Sequence, residues 1–403
     1  MHLLSALILC AALPQDYYPP PDSAGGWRTL KEAGPIRDVA GMDLAKLDQA
    51  WEQTQRCTQN AGLVVVRRGY LVYEKYAGRA FRDANPDMAS CGKAFTSIAC
   101  GIMLSENKDA IPDGLDTKVF TEKYLPEAFP LDDPRRADIT LGQLLCMTAG
   151  YHGEGKAPGI RKGEVVPLTP VPGQDIRDLD KSSLRTVLWC APGEGYSYSS
   201  PAPHIASMVL RRVTGKSLQD YIGEKLGKPL GWGPWGYCLY RGEVTLPHAN
   251  GAGSIALHAT DVMRFCYCLL RNGRWDDRQV VPAAYLKLVG KPSKDNPHCM
   301  FSLQFEVNAD GHVAGAPKDA YWKSGAGGFC LYVVPSLDLA VYKMGGSDGQ
   351  YKEELTRIPQ TLKVDGSRDG WKPIPRTPFH DGTLGGDDGL RRVLEMVCAA
   401  VRD

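Results

Sequence analysis

Two pairs of predicted β-strands lie at opposite ends of this 403-residue chain. Residues 62–66 and 70–76 are apolar and aromatic runs joined by a turn that contains Gly69, and residues 329–334 and 337–343 form a second pair. Because an isolated pair of strands is not stable in water, strands that are distant in sequence must join one sheet. The pattern therefore predicts an α/β fold whose sheet is assembled from both ends of the chain.

Helical patterns fill most of the sequence around these strands. A further strand pattern appears near 301–307, whereas the middle third is helical, with long loops and little strand pattern. We therefore predict one domain at 43–403, in which an inserted helical part (116–255) divides an α/β part (43–115 and 256–403). The predicted helices cover 43–59, 89–104, 139–147 with Thr140 as N-cap, 182–188, 201–213, 218–226, 261–270 and 390–401.

Composition excludes several classes of partner. Charged residues make up 23% of the chain and hydrophobic residues 43%, which is typical of a globular protein, and the formal net charge of +1 argues against a nucleic-acid partner. Beyond the N-terminus no apolar run approaches the roughly 20 residues that span a membrane. The eight histidines lack metal-ligand spacing, and Cys266 and Cys268 lie in an apolar helical stretch. We predict neither a metal nor a cofactor.

The N-terminus resembles a targeting segment. Residues 1–14 are mostly apolar, with small residues near a plausible cleavage point, although no Lys or Arg precedes the apolar run. We predict that they are a signal peptide and that the protein is exported to the periplasm or the cell exterior. Cys10 does not indicate a lipid anchor, because Leu9 stands where a lipoprotein signal has a small residue. Residues 15–42, rich in Pro and Gly, predict an arm on the domain surface.

A serine and a lysine stand at the start of the predicted helix 89–104. Ser90 and Lys93 are three residues apart and therefore lie on the same face of the first helical turn. An amine beside a hydroxyl, at the positive end of a helix, can activate that hydroxyl as a nucleophile. The same spacing occurs again at Ser105 and Lys108, where the apolar helix gives way to polar residues. We interpret the second pair as a solvated helix end and the first as nucleophile and base.

Two later segments support this interpretation. A loop punctuated by glycines, 192–200, presents Tyr198 and Ser200 two residues apart. Lys323-Ser324-Gly325 stands at the start of the C-terminal strand pair, where its small residues allow a substrate to lie against the strand edge and its lysine offers a fixed cation.

Together these segments resemble the penicillin-recognising serine hydrolases, which include serine β-lactamases, D,D-peptidases and related esterases. The three signatures of that family appear in the family's order, as Ser90-Cys91-Gly92-Lys93, Tyr198-Ser199-Ser200 and Lys323-Ser324-Gly325. The likeness covers roughly residues 45–345 and favours the class C branch, on its esterase and nylon-oligomer-hydrolase side. It implies a β-lactamase-like fold with an antiparallel sheet flanked by helices and an inserted all-α region.

The resemblance also implies roles for individual residues. Ser90 would attack a carbonyl carbon and become acylated, and Lys93 would accept or relay its proton. Tyr198 would carry the proton to the leaving group and later help to activate water. The backbone N–H groups of Ser90 and Ala326 would form the oxyanion hole.

The same resemblance implies a substrate-binding set. Lys323 and Ser324 would hold a carboxylate or a polar tail of the substrate, beside Gly325. Tyr151 begins a Gly- and Pro-rich segment (151–175) of the kind that borders a binding cleft, and is a further candidate.

One position departs from the family pattern and bears on specificity. Ser200 stands where the family usually has Asn, so a carboxamide that can donate and accept hydrogen bonds at once is missing. This favours hydrolysis of a carboxylic ester or small amide over β-lactam chemistry. A D-amino-acid peptidase, a β-lactamase and a catalytically silent ligand-binding domain remain alternatives, as do monomeric and dimeric states.

Overall fold

The structure is a computed structural model of the chain and describes residues 17–155, 157–238, 240–241, 244–351 and 388–402. The predicted signal peptide, 1–14, lies outside the described residues, as do the first two positions of the predicted arm. Within the described ranges, no helix is both long enough and apolar enough to cross a membrane.

Helices and strands are interspersed along the described chain. The helices are α1 (Ala33–Ala40), α2 (Leu44–Arg56), α3 (Gly92–Glu106), α4 (Leu141–Cys146), α5 (Leu179–Leu184), α6 (Pro201–Thr214), α7 (Leu218–Ile222), α8 (Lys228–Leu230), α9 (Ala259–Leu270), α10 (Ala283–Val289) and α11 (Asp388–Ala399). The strands are β1 (Ala61–Arg67), β2 (Tyr70–Ala77), β3 (Gly159–Arg161), β4 (Glu164–Val166), β5 (Tyr196–Ser197), β6 (Gly236–Tyr237), β7 (Tyr240–Arg241), β8 (Val244–Thr245), β9 (Ile255–Ala256), β10 (Arg274–Trp275), β11 (Arg278–Gln279), β12 (Phe301–Ser302), β13 (Phe305–Val307), β14 (Tyr321–Gly325), β15 (Phe329–Val334) and β16 (Leu339–Met344).

The main sheet joins the two ends of the sequence, as the strand pattern predicts. Its seven strands run in the order β12-β13-β14-β15-β16-β1-β2, and every neighbouring pair is antiparallel. The junction is between β1 and β16, where Val64 pairs with Tyr342 and Val66 with Ala340. The predicted antiparallel sheet with flanking helices is therefore confirmed.

Helices cover both faces of this sheet. Successive side chains of a strand point to opposite faces, so Val64 and Val66 enter one hydrophobic core while Leu63 and Val65 enter another. The first core contains residues of α3, α6 and α9, and the second contains residues of α1, α2 and α11. Because both faces are covered, all seven residues of β1 are buried. The first core supports the element that carries Ser90.

Residues 301–307 differ from the prediction of a single strand. They form two short strands, β12 and β13, which pair with each other in a tight reversal. The reversal occurs at Leu303 and Gln304, whose φ angles are +46° and +70°. Neither residue is Gly or Asn, so their composition gives no turn pattern, and the conformation depends on tertiary contacts such as the bonds from Gln304 Nε2 to the carbonyls of Leu144 and Leu145.

Several helix boundaries also differ from the prediction. The helix expected at 182–188 is α5, which begins earlier because the Asp178 carboxylate caps it by accepting from the Lys181 N–H. The helix expected at 218–226 stops at Ile222 and continues as a π-helical turn, Gly223–Gly227. The others lie close to their expected positions, and Thr140 forms the predicted N-cap of α4.

The middle of the chain holds more β-structure than its sequence indicates. β3, β4 and β5 form a small antiparallel sheet in the order β4-β3-β5, and β6 pairs with β9. The strands are two or three residues long, too short to give a visible alternation. Of these, β5 matters for the site because Tyr198 follows it directly. The division into a split α/β part and an inserted part stays a prediction.

Candidate active site

Ser90 lies in a short 3-10 turn, Ala89–Cys91, that leads into α3. The φ angle of Ala89 is +46°, and its N–H donates to Asp87 Oδ1 over 2.8 Å. Gly253 packs so closely on the turn that a Cβ there would lie 2.4 Å from the Ala89 carbonyl oxygen. A non-glycine residue at positive φ is strained and persists only where its surroundings hold it. These contacts hold Ser90, which is partly exposed, at the start of α3.

Lys93 contacts Ser90 directly. Its Nζ atom lies 2.9 Å from Ser90 Oγ and donates to the Ala252 carbonyl oxygen over 2.6 Å. Only 1% of Lys93 is exposed, because α3 is buried around its whole circumference from Gly92 to Met103 rather than along one stripe. The serine and the lysine predicted as nucleophile and base are thus within proton-transfer distance of each other.

Cys91 is adjacent to Ser90 in sequence and has to be considered as a rival nucleophile. Its side chain is fully buried, and its Sγ donates to the Lys323 carbonyl oxygen over 3.3 Å. Burial raises the pKa of the Cys91 thiol to about 12. Because the thiolate is the reactive form of cysteine, this thiol is inert at neutral pH.

Tyr198 lies between two lysine side chains. The centre of its ring is 5.2 Å from Lys93 Nζ and 5.3 Å from Lys323 Nζ, and Phe301 packs against it edge to face at 6.3 Å. Its hydroxyl oxygen is buried and finds no hydrogen-bond partner among the described residues. A buried hydroxyl without a partner is costly. Its ring beside the amines of Lys93 and Lys323 keeps Tyr198 among the candidate site residues.

The end of β14 packs against the turn that carries Ser90. A Cβ at Gly325 would lie 2.3 Å from the Met88 carbonyl oxygen and 3.1 Å from Cys91 N, so glycine is required for this approach. Ala326 follows at once and is exposed. Gln350 joins both segments, because its Nε2 donates to the carbonyl oxygens of Asp87 (2.9 Å) and Ala326 (3.1 Å).

A carboxylate that the sequence did not reveal lies beside Lys323 and Ser324. Glu306 Oε1 accepts from Ser324 Oγ over 2.6 Å and lies 3.5 Å from Lys323 Nζ, and its Oε2 accepts from Trp322 Nε1 over 2.6 Å. Burial opposes the charge on Lys323, but the acidic groups of Tyr198 and Glu306 outweigh it and raise the pKa of Lys323. The strand pattern near 301–307 could have placed Glu306 on a strand, but not opposite Trp322.

Two further predicted site residues make other contacts in the structure. Tyr151, predicted to line the cleft, is instead 2% exposed in the first core, with its ring 5.8 Å from the Arg136 guanidinium. That prediction is corrected, because the apolar ring is worth more in the core than at a wet cleft. Ser200 is partly exposed at the start of α6, and its N–H donates to Glu154 Oε1 over 2.7 Å.

The segment 151–175 borders a cavity next to this site. The cavity has a volume of about 540 Å³ and is lined by His152, Glu154, Lys181 and Pro201 among others. Ser90, Lys93 and Tyr198 do not belong to its lining. The candidate reacting centre is therefore the group of residues around Ser90. The cavity is a separate space, which adjoins Ser200 through Glu154 and Pro201.

The family model places this chain in a class of enzyme, the serine hydrolases. The model of the Beta-lactamase family matches residues 45–364, which is most of the chain, so the chain belongs to that family. The predicted resemblance to penicillin-recognising serine hydrolases is confirmed at this level.

Solved structures share the fold of this chain. A candidate β-lactamase from Bacteroides dorei covers 88% of this chain and 98% of its own, with a TM-score of 0.61 and 16% identity. EstCE1, a hydrolase with promiscuous acyltransferase activity, covers 75% of this chain and 93% of its own, with a TM-score of 0.59 and 17% identity. Identities this low show the shared fold alone.

A curated relative is an esterase. The chain is 27% identical to the lovastatin esterase of Penicillium rubens over 181 residues, which are 41% of this chain and 45% of that protein. The chain thus matches slightly less than half of the length of this relative.

Proposed function

We propose that the protein hydrolyses a carboxylic ester or a small amide through an acyl-enzyme on Ser90. The observation that carries the proposal is the 2.9 Å contact between Lys93 Nζ and Ser90 Oγ at a partly exposed turn. A nucleophile and a base within hydrogen-bond distance of each other are the core of nucleophilic acyl transfer. No metal or cofactor enters the proposal.

The first half of the reaction acylates the enzyme. Ser90 Oγ forms a bond to the substrate carbonyl carbon while Lys93 takes the hydroxyl proton. The carbonyl oxygen becomes an oxyanion, for which we assign the backbone N–H groups of Ser90 and Ala326. The bond to the leaving group then breaks, and the alcohol or amine leaves with a proton delivered through the Tyr198 hydroxyl.

The second half releases the acid. Water attacks the acyl carbon, and its proton passes to the Tyr198 and Lys93 pair as the C–O bond forms. The bond to Ser90 Oγ breaks, Ser90 recovers a proton, and a carboxylic acid leaves. Water is the only co-substrate, and the enzyme returns to its starting state.

The ester or small amide is preferred over a β-lactam for two reasons. Ser200 replaces the carboxamide that the family usually offers to amide-like substrates. In addition, the curated relative is an esterase. D-amino-acid peptidase and β-lactamase activities are the alternatives within the same mechanism.

Intact-mass measurement tests the proposal. Wild type and Ser90→Ala are each exposed briefly to a fluorophosphonate, to p-nitrophenyl butyrate and to a penicillin. We expect one fluorophosphonate adduct on wild type, none on Ser90→Ala, and turnover of the ester. Turnover of the penicillin instead would select the β-lactamase alternative. No adduct on folded wild type would refute the hydrolase mechanism and leave a ligand-binding domain.

We also propose export, on the basis of the apolar segment 1–14. Expression of the full chain in a bacterial host should yield a shortened mature protein in the periplasmic or extracellular fraction. Recovery of the uncleaved chain in the cytoplasm alone would contradict it.

A further inference from the structure

The residues expected to bind a substrate carboxylate already bind a carboxylate of the protein itself. Glu306 accepts from Ser324 Oγ (2.6 Å), from Trp322 Nε1 (2.6 Å) and, more weakly, from Ser324 N (3.4 Å), and Lys323 Nζ lies 3.5 Å away. The register of the sheet sets this arrangement, because Glu306 on β13 pairs directly with Trp322 on β14. The pairing of β13 with β14 therefore holds the Glu306 carboxylate beside Ser324 and Lys323.

The positive charge of Lys323 is consequently compensated by a carboxylate of the protein, that of Glu306. Its side chain is fully buried, and Glu306 is its one ion-pair partner in the part of the chain that the structure describes. Glu306 is about one quarter exposed (23%), so it faces the solvent side of the pair. Because Lys323 is fully buried, an anionic group that approaches the pair from solvent would meet the negative charge of Glu306 first.

The hydroxyl of Ser324 is engaged in the same way. A serine has one O–H donor, and the proton of Ser324 is directed at Glu306 Oε1. The hydroxyl can therefore bind an incoming carboxylate only by giving up a bond to a charged acceptor. Lys93, the other buried lysine of the site, is already occupied by Ser90 and the Ala252 carbonyl.

We propose that Glu306 is a specificity-determining residue that makes the site select uncharged substrates and reject substrates with a carboxylate near the scissile carbonyl. This inference rests on the proposed function and names the substrate class of that site: neutral esters or amides. Two like charges at close range in a partly buried site repel each other strongly. We expect discrimination of about tenfold to a hundredfold in kcat/KM.

A matched pair of esters measures this discrimination. p-Nitrophenyl hexanoate and mono-p-nitrophenyl adipate share a leaving group and a six-carbon acyl chain, and differ by a terminal carboxylate. The spontaneous hydrolysis of each ester is subtracted. For wild type we expect kcat/KM for the hexanoate to exceed that for the adipate by at least about tenfold.

The Glu306→Gln variant removes the charge and keeps a carbonyl oxygen that can accept from Ser324. We expect it to raise the adipate-to-hexanoate ratio of kcat/KM by about tenfold or more, mainly through KM of the adipate, because Lys323 then becomes an uncompensated cation. Glu194→Gln is the control, since Glu194 lies in the Tyr198 loop and pairs with the exposed Arg161. It should leave the ratio unchanged.

The salt dependence of wild type provides a second test, which does not require that any variant folds. Raising the NaCl concentration from about 0.05 M to about 0.5 M screens charge interactions. If Glu306 repels the adipate, the adipate-to-hexanoate ratio of kcat/KM rises with salt. If Lys323 attracts the adipate, this ratio falls with salt.

A wild-type preference for the adipate, a ratio unmoved by Glu306→Gln, or a ratio that falls with salt would each overturn the inference while leaving the hydrolase intact. Absence of turnover for both esters together with no adduct on Ser90 would instead overturn the proposed function.

Discussion

Lys93 lies on α3 and Tyr198 follows β5. The amine of the first and the hydroxyl of the second can each be removed by a substitution that we expect to preserve the fold. Lys93→Met removes the amine and keeps an unbranched side chain of nearly the same length, and Tyr198→Phe removes the hydroxyl and keeps the ring between the two lysines. Because general acid–base groups contribute about 10²- to 10⁴-fold, we expect each change to lower kcat/KM for p-nitrophenyl butyrate by about that range. Steady-state kinetics measures it.

The control for these two variants is the urea midpoint, which should remain close to that of wild type. Activity of Tyr198→Phe within about threefold of wild type would show that another group protonates the leaving group.

Gln350 is a positioning residue, since it reaches no reacting atom. It holds the Asp87 and Ala326 carbonyls and so fixes the distance between the two proposed oxyanion donors. Loss of one oxyanion donor costs about 10²- to 10³-fold, and a displaced donor should cost less. We expect Gln350→Met to lower kcat about tenfold with little change in KM. An increase in KM at constant kcat would indicate a substrate contact instead.

Glu306 shows what sequence could not supply at this scale. Ser90 and Lys93 are predicted from their spacing on one helical turn, and Tyr198 from the resemblance of its motif to that of a known family. Glu306 belongs to no motif, and its partners Trp322 and Ser324 are on a different strand. Its role depends on strand register, which is set by long-range pairing and not by neighbouring residues.

At the scale of elements, α6 supports the segment that receives Lys93. His204 on α6 is fully buried, its Nδ1 accepts from the Gly251 N–H over 3.3 Å, and its Nε2 donates to Asp180 over 2.7 Å. The next residue, Ala252, offers the carbonyl that Lys93 binds. A protonated His204 would lose its acceptor for Gly251.

This arrangement predicts a loss of stability in mild acid. Burial lowers the pKa of His204 below its ordinary value of 6.5, although the neighbouring Asp180 opposes the shift and His248 and Arg211 add to it. The folded state therefore binds this proton less readily than the unfolded chain. Stability is fully present above pH 6.5 and is lost as the pH falls below it.

Two substitutions separate the roles of the two ring nitrogens of His204. Asn places an acceptor near the position of Nδ1, whereas Gln places a donor near Nε2. Urea denaturation at about pH 7.5 and about pH 5 should show a smaller loss in His204→Asn than in wild type. His204→Gln should lower kcat more than His204→Asn does, because it leaves Gly251 without its partner. An unchanged pH dependence in both variants would contradict the prediction.

The elements that sequence predicted well share a physical cause. β1, β2, α6 and α9 are long enough for their periodicity to show, and the turn between β1 and β2 carries its own glycine, Gly69. By contrast, β12 and β13 have two and three residues, and their reversal at Leu303 depends on distant contacts. Short elements fixed by tertiary packing leave no periodic trace.

At the scale of the whole molecule, the two hydrophobic cores support different parts of the structure. The core that contains α3 supports Ser90 and Lys93, whereas the core between the sheet, α2 and α11 lies on the other face. In the second core Leu394 is 1% exposed, and the Tyr332 hydroxyl donates to the Leu390 carbonyl over 2.9 Å, which ties α11 to the sheet. Damage to the two cores should therefore have different effects on activity.

Leu394→Ala and Ile98→Ala form a matched pair, because both remove large aliphatic side chains that are almost fully buried. Each leaves a cavity and should lower the free energy of unfolding by about 2–5 kcal/mol. In Leu394→Ala the activity per folded molecule, calibrated by fluorophosphonate labelling, should match wild type. In Ile98→Ala it should fall, because the cavity lies beneath the helix that positions Lys93. Equal loss of specific activity in both variants would mean that the sheet transmits packing defects from one face to the other, and that the site depends on the molecule as a single unit.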